Sequence, residues 1–169
     1  MKKLLILIAL FGYISPANAQ TDDSDEKNVV ISKYTREFRF VKGDASNPVQ
    51  IKEESRREYS CNNYRTEILV AEFYNNIESI DDVNIYVDGS KKHGITPKYE
   101  YHSVDGIFYS DAHVCFFKLP LLKKGSTSEV IFKKTILDPR YFTNTFFTEN
   151  HEIANQEIKI IVPAWMQLE

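Results

Sequence analysis

Residues 29–41 read VVISKYTREFRFV. Apolar and polar side chains alternate here, and Tyr34, Phe38 and Phe40 fall on one face of an extended chain. That period of two is the mark of a half-buried strand. The same period recurs downstream. VNIYVDG, from Val83, runs into Asp88-Gly89, a strong hairpin signal. KYEYHSV, from Lys98, ends at Asp105-Gly106. HVCFFKLP, from His113, is closed by Pro120. SEVIFKKTIL, from Ser128, is closed by Asp138-Pro139, and QEIKIIVP, from Gln156, by Pro163. YRTEILVAEFY, from Tyr64, fits helix or strand by spacing, and its β-branched and aromatic content favours strand. Further turn signals stand at Gly43, Asn62-Asn63, Asn75-Asn76 and Gly125. Many short strands with such punctuation predict an all-β protein, an antiparallel β-sandwich of about seven to nine strands with little helix. Arg140 to Asn150 is open to either a short helix or a loop. Residues 29–169 read as one domain.

The N-terminus predicts export. Lys2 and Lys3 precede an apolar run from Leu4 to Ile14, and Ala17 and Ala19 form a small-residue cleavage signal before Gln20. This is the pattern of a secretory signal peptide over residues 1–19, and the run is too short for a stable membrane span. Residues 20–28, polar and acidic, read as a disordered lead-in. The expected location is periplasmic or secreted, with no integral membrane segment after cleavage. Losing two lysines takes the formal net charge from −3 to about −5. A mildly acidic chain has no electrostatic footprint for nucleic acid. The basic pairs Arg56-Arg57, Lys91-Lys92 and Lys133-Lys134 read as solvated strand faces. Cys61 and Cys115 are the two cysteines. In an oxidising compartment a bridge between them and two separate buried thiols are both compatible with the sequence.

No complete catalytic constellation emerges. Cys61 and Cys115 are candidate nucleophiles, and His93, His102, His113 and His151 candidate bases. Cys115, however, sits within an apolar strand that should bury it and raise its pKa rather than activate it. His102, Asp105, Asp111 and His113 are close in sequence but match no metal-ligand spacing. Asp81-Asp82 reads as a turn. No Gly-rich phosphate loop is present. The expectation is therefore no catalytic residue, metal or cofactor. Tyr99, Tyr101, Phe108, Tyr109 and Trp165 form a candidate aromatic binding surface. Tyr99 and Tyr101 share one strand face, expected to point inward.

Three segments together resemble a bacterial envelope domain of unknown function that usually lies N-terminal to a transglutaminase-like domain. They are VNIYVDGSKKHG, VDGIFYSDAHVCFFKLPLLKKGS and DPRYFTNTFFTENHEIANQEIKIIVPAWMQLE, and they span Val83 to Glu169. The resemblance implies a β-sandwich accessory module and carries over no catalytic residue. The Cys-His-Asp triad of transglutaminase-like folds belongs to a domain expected beyond Glu169. A stand-alone copy and a severed N-terminal half are both open. The expected function is non-catalytic binding of a protein or glycan in the envelope. The alternative is an accessory half of a transglutaminase- or peptidase-like enzyme.

Overall fold

The computed structural model describes residues 28–62, 66–102, 111–142, 147 and 149–166. Residues 1–19, expected to be a signal peptide, and Asp105-Gly106, Phe108 and Tyr109 lie outside the described residues. The fold is all-β, with ten strands in two sheets among the described residues. The strands are β1 (Val29–Lys42), β2 (Val49–Cys61), β3 (Thr66–Tyr74), β4 (Glu78–Val87), β5 (Ser90–Lys91), β6 (Lys98–Tyr101), β7 (His113–Leu121), β8 (Thr127–Ile136), β9 (Glu152–Ile153) and β10 (Gln156–Ile161). The large sheet has the order β10-β1-β2-β8-β4-β5, with β9 also on β1, and the small sheet the order β3-β7-β6. Pairings are antiparallel except that β9 and β10 run parallel to β1. A 3-10 turn, Pro139–Tyr141, follows β8, the Arg140 N–H capped by the Asp138 side chain.

Two features of this architecture depart from the sequence reading. β2 is a full 13-residue strand that pairs along its whole length with β1 and from Ile51 to Ser60 with β8. Its polar run KEESRRE hides the alternation. Asp81-Asp82 is not a turn: both residues lie inside β4, where the register shifts between Ile80 and Asp82. The extra residue changes which parity faces the core. Glu78 and Ile80 are thereby followed by Val83, Ile85 and Val87. A matching irregularity between Ile31 and Lys33 in β1 puts Val29 and Ile31 on the same side as Tyr34, Phe38 and Phe40.

The turns follow local chemistry. Asp88 and Gly89 both take positive φ, 48° and 76°, as a two-residue hairpin between β4 and β5 requires. Gly43 opens the β1–β2 connection, where a Cβ would lie 1.9 Å from the Asn47 carbonyl oxygen. The Asp44 carboxylate accepts from the N–H groups of Ser46 and Asn47, each at 2.8 Å.

β1 and β2 are longer than any strand of the small sheet, which therefore covers only part of them. Beneath it lies the main core, built from Ile31, Tyr59, Ile85, Val130 and Phe132 on one side and Ile68, Val70, Phe117, Leu119 and Leu121 on the other. At the far end Phe38, Phe40, Ile51 and Ile136 form a second cluster. No strand of the small sheet covers it; Phe142, Val162 and Met166 do. The segments after β8 and after β10 thus complete the sandwich.

Candidate functional site

Between the two apolar clusters, the inner face of the large sheet is charged. Inner residues of β2 run Ile51, Glu53, Ser55, Arg57, Tyr59, and those of β8 run Val130, Phe132, Lys134, Ile136. Arg57 and Lys134 are only 3% and 4% exposed. Of the basic pairs read as solvated, Lys91-Lys92 is exposed, but in each of the other two one member is buried. The reason is geometric: adjacent residues of a strand point to opposite faces, so Arg56 and Lys133 face outward while Arg57 and Lys134 turn in.

The buried charges alternate in sign across four strands and a loop. Arg36 Nε donates to Glu53 Oε1 at 2.7 Å. Lys134 Nζ lies 3.3 Å from Glu53 Oε2 and 2.6 Å from Glu72 Oε1. Glu72, on β3, also accepts from Arg57. Arg57 Nε reaches Glu149 Oε1 at 2.8 Å, and its other nitrogens donate to the Tyr34 hydroxyl at 3.1 Å and the Ala71 carbonyl at 3.2 Å. The guanidinium sits between the Tyr34 and Phe132 rings, 5.0 and 5.1 Å from their centroids. Glu72 is the member contributed by the small sheet, so this network ties the two sheets together.

Burial alone would raise the Glu72 pKa, but Arg57 and Lys134 more than offset it, and the carboxyl falls to about 2. The same partnership holds Lys134 above its usual value despite burial, chiefly through Glu72 and Glu53. Glu149 and Glu78 go the other way, since burial there outweighs the cations and raises both. Around the network opens a polar cleft of about 410 Å³, lined by Tyr34, Arg36, Glu72, Phe73, Glu149 and His151 among others.

The candidate nucleophiles are both buried cysteines outside any disulfide, Cys61 at the end of β2 and Cys115 in β7. Burial pushes the Cys115 thiol up to about 11, with the Tyr99 hydroxyl bonded to it. His113, two positions away, instead contacts the Asn76 side chain at 3.1 Å and packs between Tyr74 and Tyr101. His102 meets the edge of Phe73, and His151 that of Tyr59. His93 is exposed. Among the described residues no group of three or more His, Cys, Asp or Glu could hold a metal ion. A thiol reagent is expected to modify neither cysteine in the native protein at neutral pH and both after unfolding. Fast labelling of Cys115 in the native state would contradict its burial.

The candidate aromatic surface is divided. Tyr99 and Tyr101 pair with Cys115 and His113 on β7, so their side chains share the inward face of the small sheet. The shared inward face is the one expected, yet the two side chains are 53% and 79% exposed. β6 is a four-residue strand bonded to β7 on one side only, and the packed core does not extend over it. Trp165 lies apart from them, in the turn after β10, where Lys42 at the end of β1 lies 5.9 Å from its ring.

The outer faces of the two sheets differ. That of the large sheet is laced with ion pairs, among them Lys52–Asp81 at 3.1 Å, Arg56–Glu54 at 3.0 Å and Lys159–Glu37 at 3.1 Å. The small sheet presents Leu69, Ala71 and Phe73 on β3 beside Lys118, Phe116 and Val114 on β7. Leu69 is 62% and Phe73 53% exposed.

No helix among the described residues is long and apolar enough to cross a membrane. No family model matches the chain, and no curated protein does. Among solved structures, the chain is similar to a "putative nutrient binding protein" (lpg2210) from Legionella pneumophila, at 8% identity and a TM-score of 0.42, over 65% of this chain and 40% of that one. It is also similar to the M1 zinc metallopeptidase from Deinococcus radiodurans, at 6% identity and a TM-score of 0.33, over 66% of this chain and 21% of that one. The chain therefore spans less than half the length of either.

Proposed function

We propose that this is a non-catalytic, exported binding domain of the bacterial envelope, and that it takes a protein partner on the outer face of its small sheet. The observation that carries the reading is the contrast between the two outer faces. The large sheet meets water with paired charges across its strands, whereas the small sheet sets exposed Leu69 and Phe73 with half-buried Ala71, Val114 and Phe116 as one apolar patch, flanked by the Glu67–Lys118 ion pair. Contiguous exposed apolar area of this kind marks interaction sites. A glycan would need hydrogen-bonding side chains within the patch, and the charged side chains of this face, Glu67, Lys118, Lys98 and Glu100, flank it instead, so a protein surface fits it better. Absence of self-sufficient catalysis is part of the proposal. The buried carboxylates of the belt stand against cations, and burial raises the Cys115 thiol pKa rather than activating it.

The test is capture of a partner from envelope extract, compared across variants. Leu69→Glu combined with Phe73→Glu should abolish the interaction while leaving the circular dichroism spectrum unchanged, because both side chains already face solvent. Lys133→Glu, on the outer face of the large sheet, should leave binding intact. Binding that survives the double variant, or is lost in Lys133→Glu, would refute the assignment. A captured partner carrying a transglutaminase- or peptidase-like domain would make the module that enzyme's accessory half.

A further inference from the structure

Among the described residues β10 is the outermost strand of the large sheet, bonded to β1 on one side, and five of its six residues are exposed. The Asn155 carbonyl accepts from the Tyr34 N–H at 2.8 Å, and alternate residues of a strand direct their backbone groups to opposite edges. Glu157, Lys159 and Ile161 therefore turn theirs to β1, while Gln156, Ile158 and Ile160 leave theirs at the free edge. Ile158 pairs with Arg36 and Ile160 with Phe38, which places both isoleucines on the inner face of the sheet. They are nonetheless 45% and 52% exposed. Glu157 and Lys159 lie on the outer face, 3.7 Å from Lys33 and 3.1 Å from Glu37.

Exposed edges are commonly guarded by charge. Several charges of one sign would repel a second copy in every register. This edge carries one acid and one base, two residues apart, which repel a second copy in some registers and attract it in another.

We infer that two copies of this chain pair through β10, antiparallel, with Ile158 facing Ile158 across a two-fold axis. An axis that makes neighbouring edge strands antiparallel stands perpendicular to the sheet, so inner residues meet inner and outer meet outer. Centring the pair on Glu157 sets acid against acid, and centring it on Lys159 sets base against base. Centring it on Ile158 sets Glu157 of each copy opposite Lys159 of the other, twice by symmetry. These pairs fall at the non-hydrogen-bonded positions, where cross-strand side chains come closest. The two Ile158 residues then exchange N–H···O=C bonds, as do Gln156 and Ile160. Pro163 follows the strand and limits the pairing to this segment. The partner is thus a second copy, because Glu-Ile-Lys is its own antiparallel complement. So short an edge buries little area, at the low end of specific interfaces, so the dimer forms in a concentration-dependent way.

Analytical ultracentrifugation of the purified protein over a wide concentration range tests this. The native protein should move from the mass of one chain to that of two. Glu157→Lys alone and Lys159→Glu alone place like charges opposite one another at both symmetric positions. Each should weaken association by on the order of tenfold or more. Combining them should restore it. The intramolecular ion pairs with Lys33 and Glu37 are lost in the combined variant too, so only the intermolecular pairing can account for recovery. A native protein that stays at one chain throughout, a dimer indifferent to either single change, or a double variant that fails to recover would each overturn the proposal.

Discussion

Replacing Arg57 with Met should destabilise the protein by about 3–5 kcal/mol, read from urea unfolding. The guanidinium is 3% exposed, hydrogen-bonded to Glu72, the Tyr34 hydroxyl and the Ala71 carbonyl, and ion-paired with Glu149. Methionine fills similar space but leaves two carboxylates in a region that burial has largely dried. The loss reflects that uncompensated charge rather than the worth of any one contact. Arg56→Met is the informative contrast. Its neighbours Glu54 and Glu129 lie on the outer face with it, and exposed pairs of that kind contribute about 0–1 kcal/mol. A similar cost for the two replacements would contradict the buried belt.

Acid should remove on the order of 3 kcal/mol through Glu72 alone. Its carboxyl has a pKa of about 2 in the fold against 4.5 in the unfolded chain. Above pH 4.5 the carboxylate is ionised in both states and its full contribution is present. As pH falls toward about 2 the unfolded chain takes up the proton first, so the contribution shrinks across that window and is gone below it. Glu78 and Glu149 have raised values and act in the opposite sense. Each disfavours the fold while ionised, and the penalty lifts as pH drops through its folded value. The steep loss should therefore begin only below pH 4.5. Glu72→Gln should be less stable than the native protein at neutral pH and should show a shallower decline between pH 4.5 and 2. Parallel declines in the two proteins would show that Glu72 does not hold the belt.

Most of the strands were legible because their inner residues are apolar. The alternation from Val83, His113 and Ser128 matches β4, β7 and β8, and the Asp88-Gly89 turn lies where its φ preferences predict. β2 was hidden because its inward row contains Glu53, Ser55 and Arg57, so burial and hydrophobicity part company there. The belt itself had a readable signal. In SEVIFKKTIL, Val130 and Phe132 fix the inner parity, and Lys134 shares it. In EILVAEFY, Ile68 and Val70 do the same for Glu72. A cation and an acid forced onto core-facing positions of separate strands imply a buried partnership. The bulges in β1 and β4 had no such signal, since a single extra residue leaves composition unchanged and shifts only the phase. Likewise, Tyr99 and Tyr101 have inward parity, but whether a core reaches over a strand depends on how far the opposing sheet extends, which local sequence does not encode.

The central claim is that the small sheet's outer face meets a protein. Photo-crosslinking side chains installed in living cells test it most directly, at Phe73 and Phe116 on that face and at Lys133 and Thr35 on the outer face of the large sheet. Partner adducts from the first two positions and none from the second two is the predicted result. Adducts from Lys133 or Thr35 with silence at Phe73 and Phe116 would contradict the account.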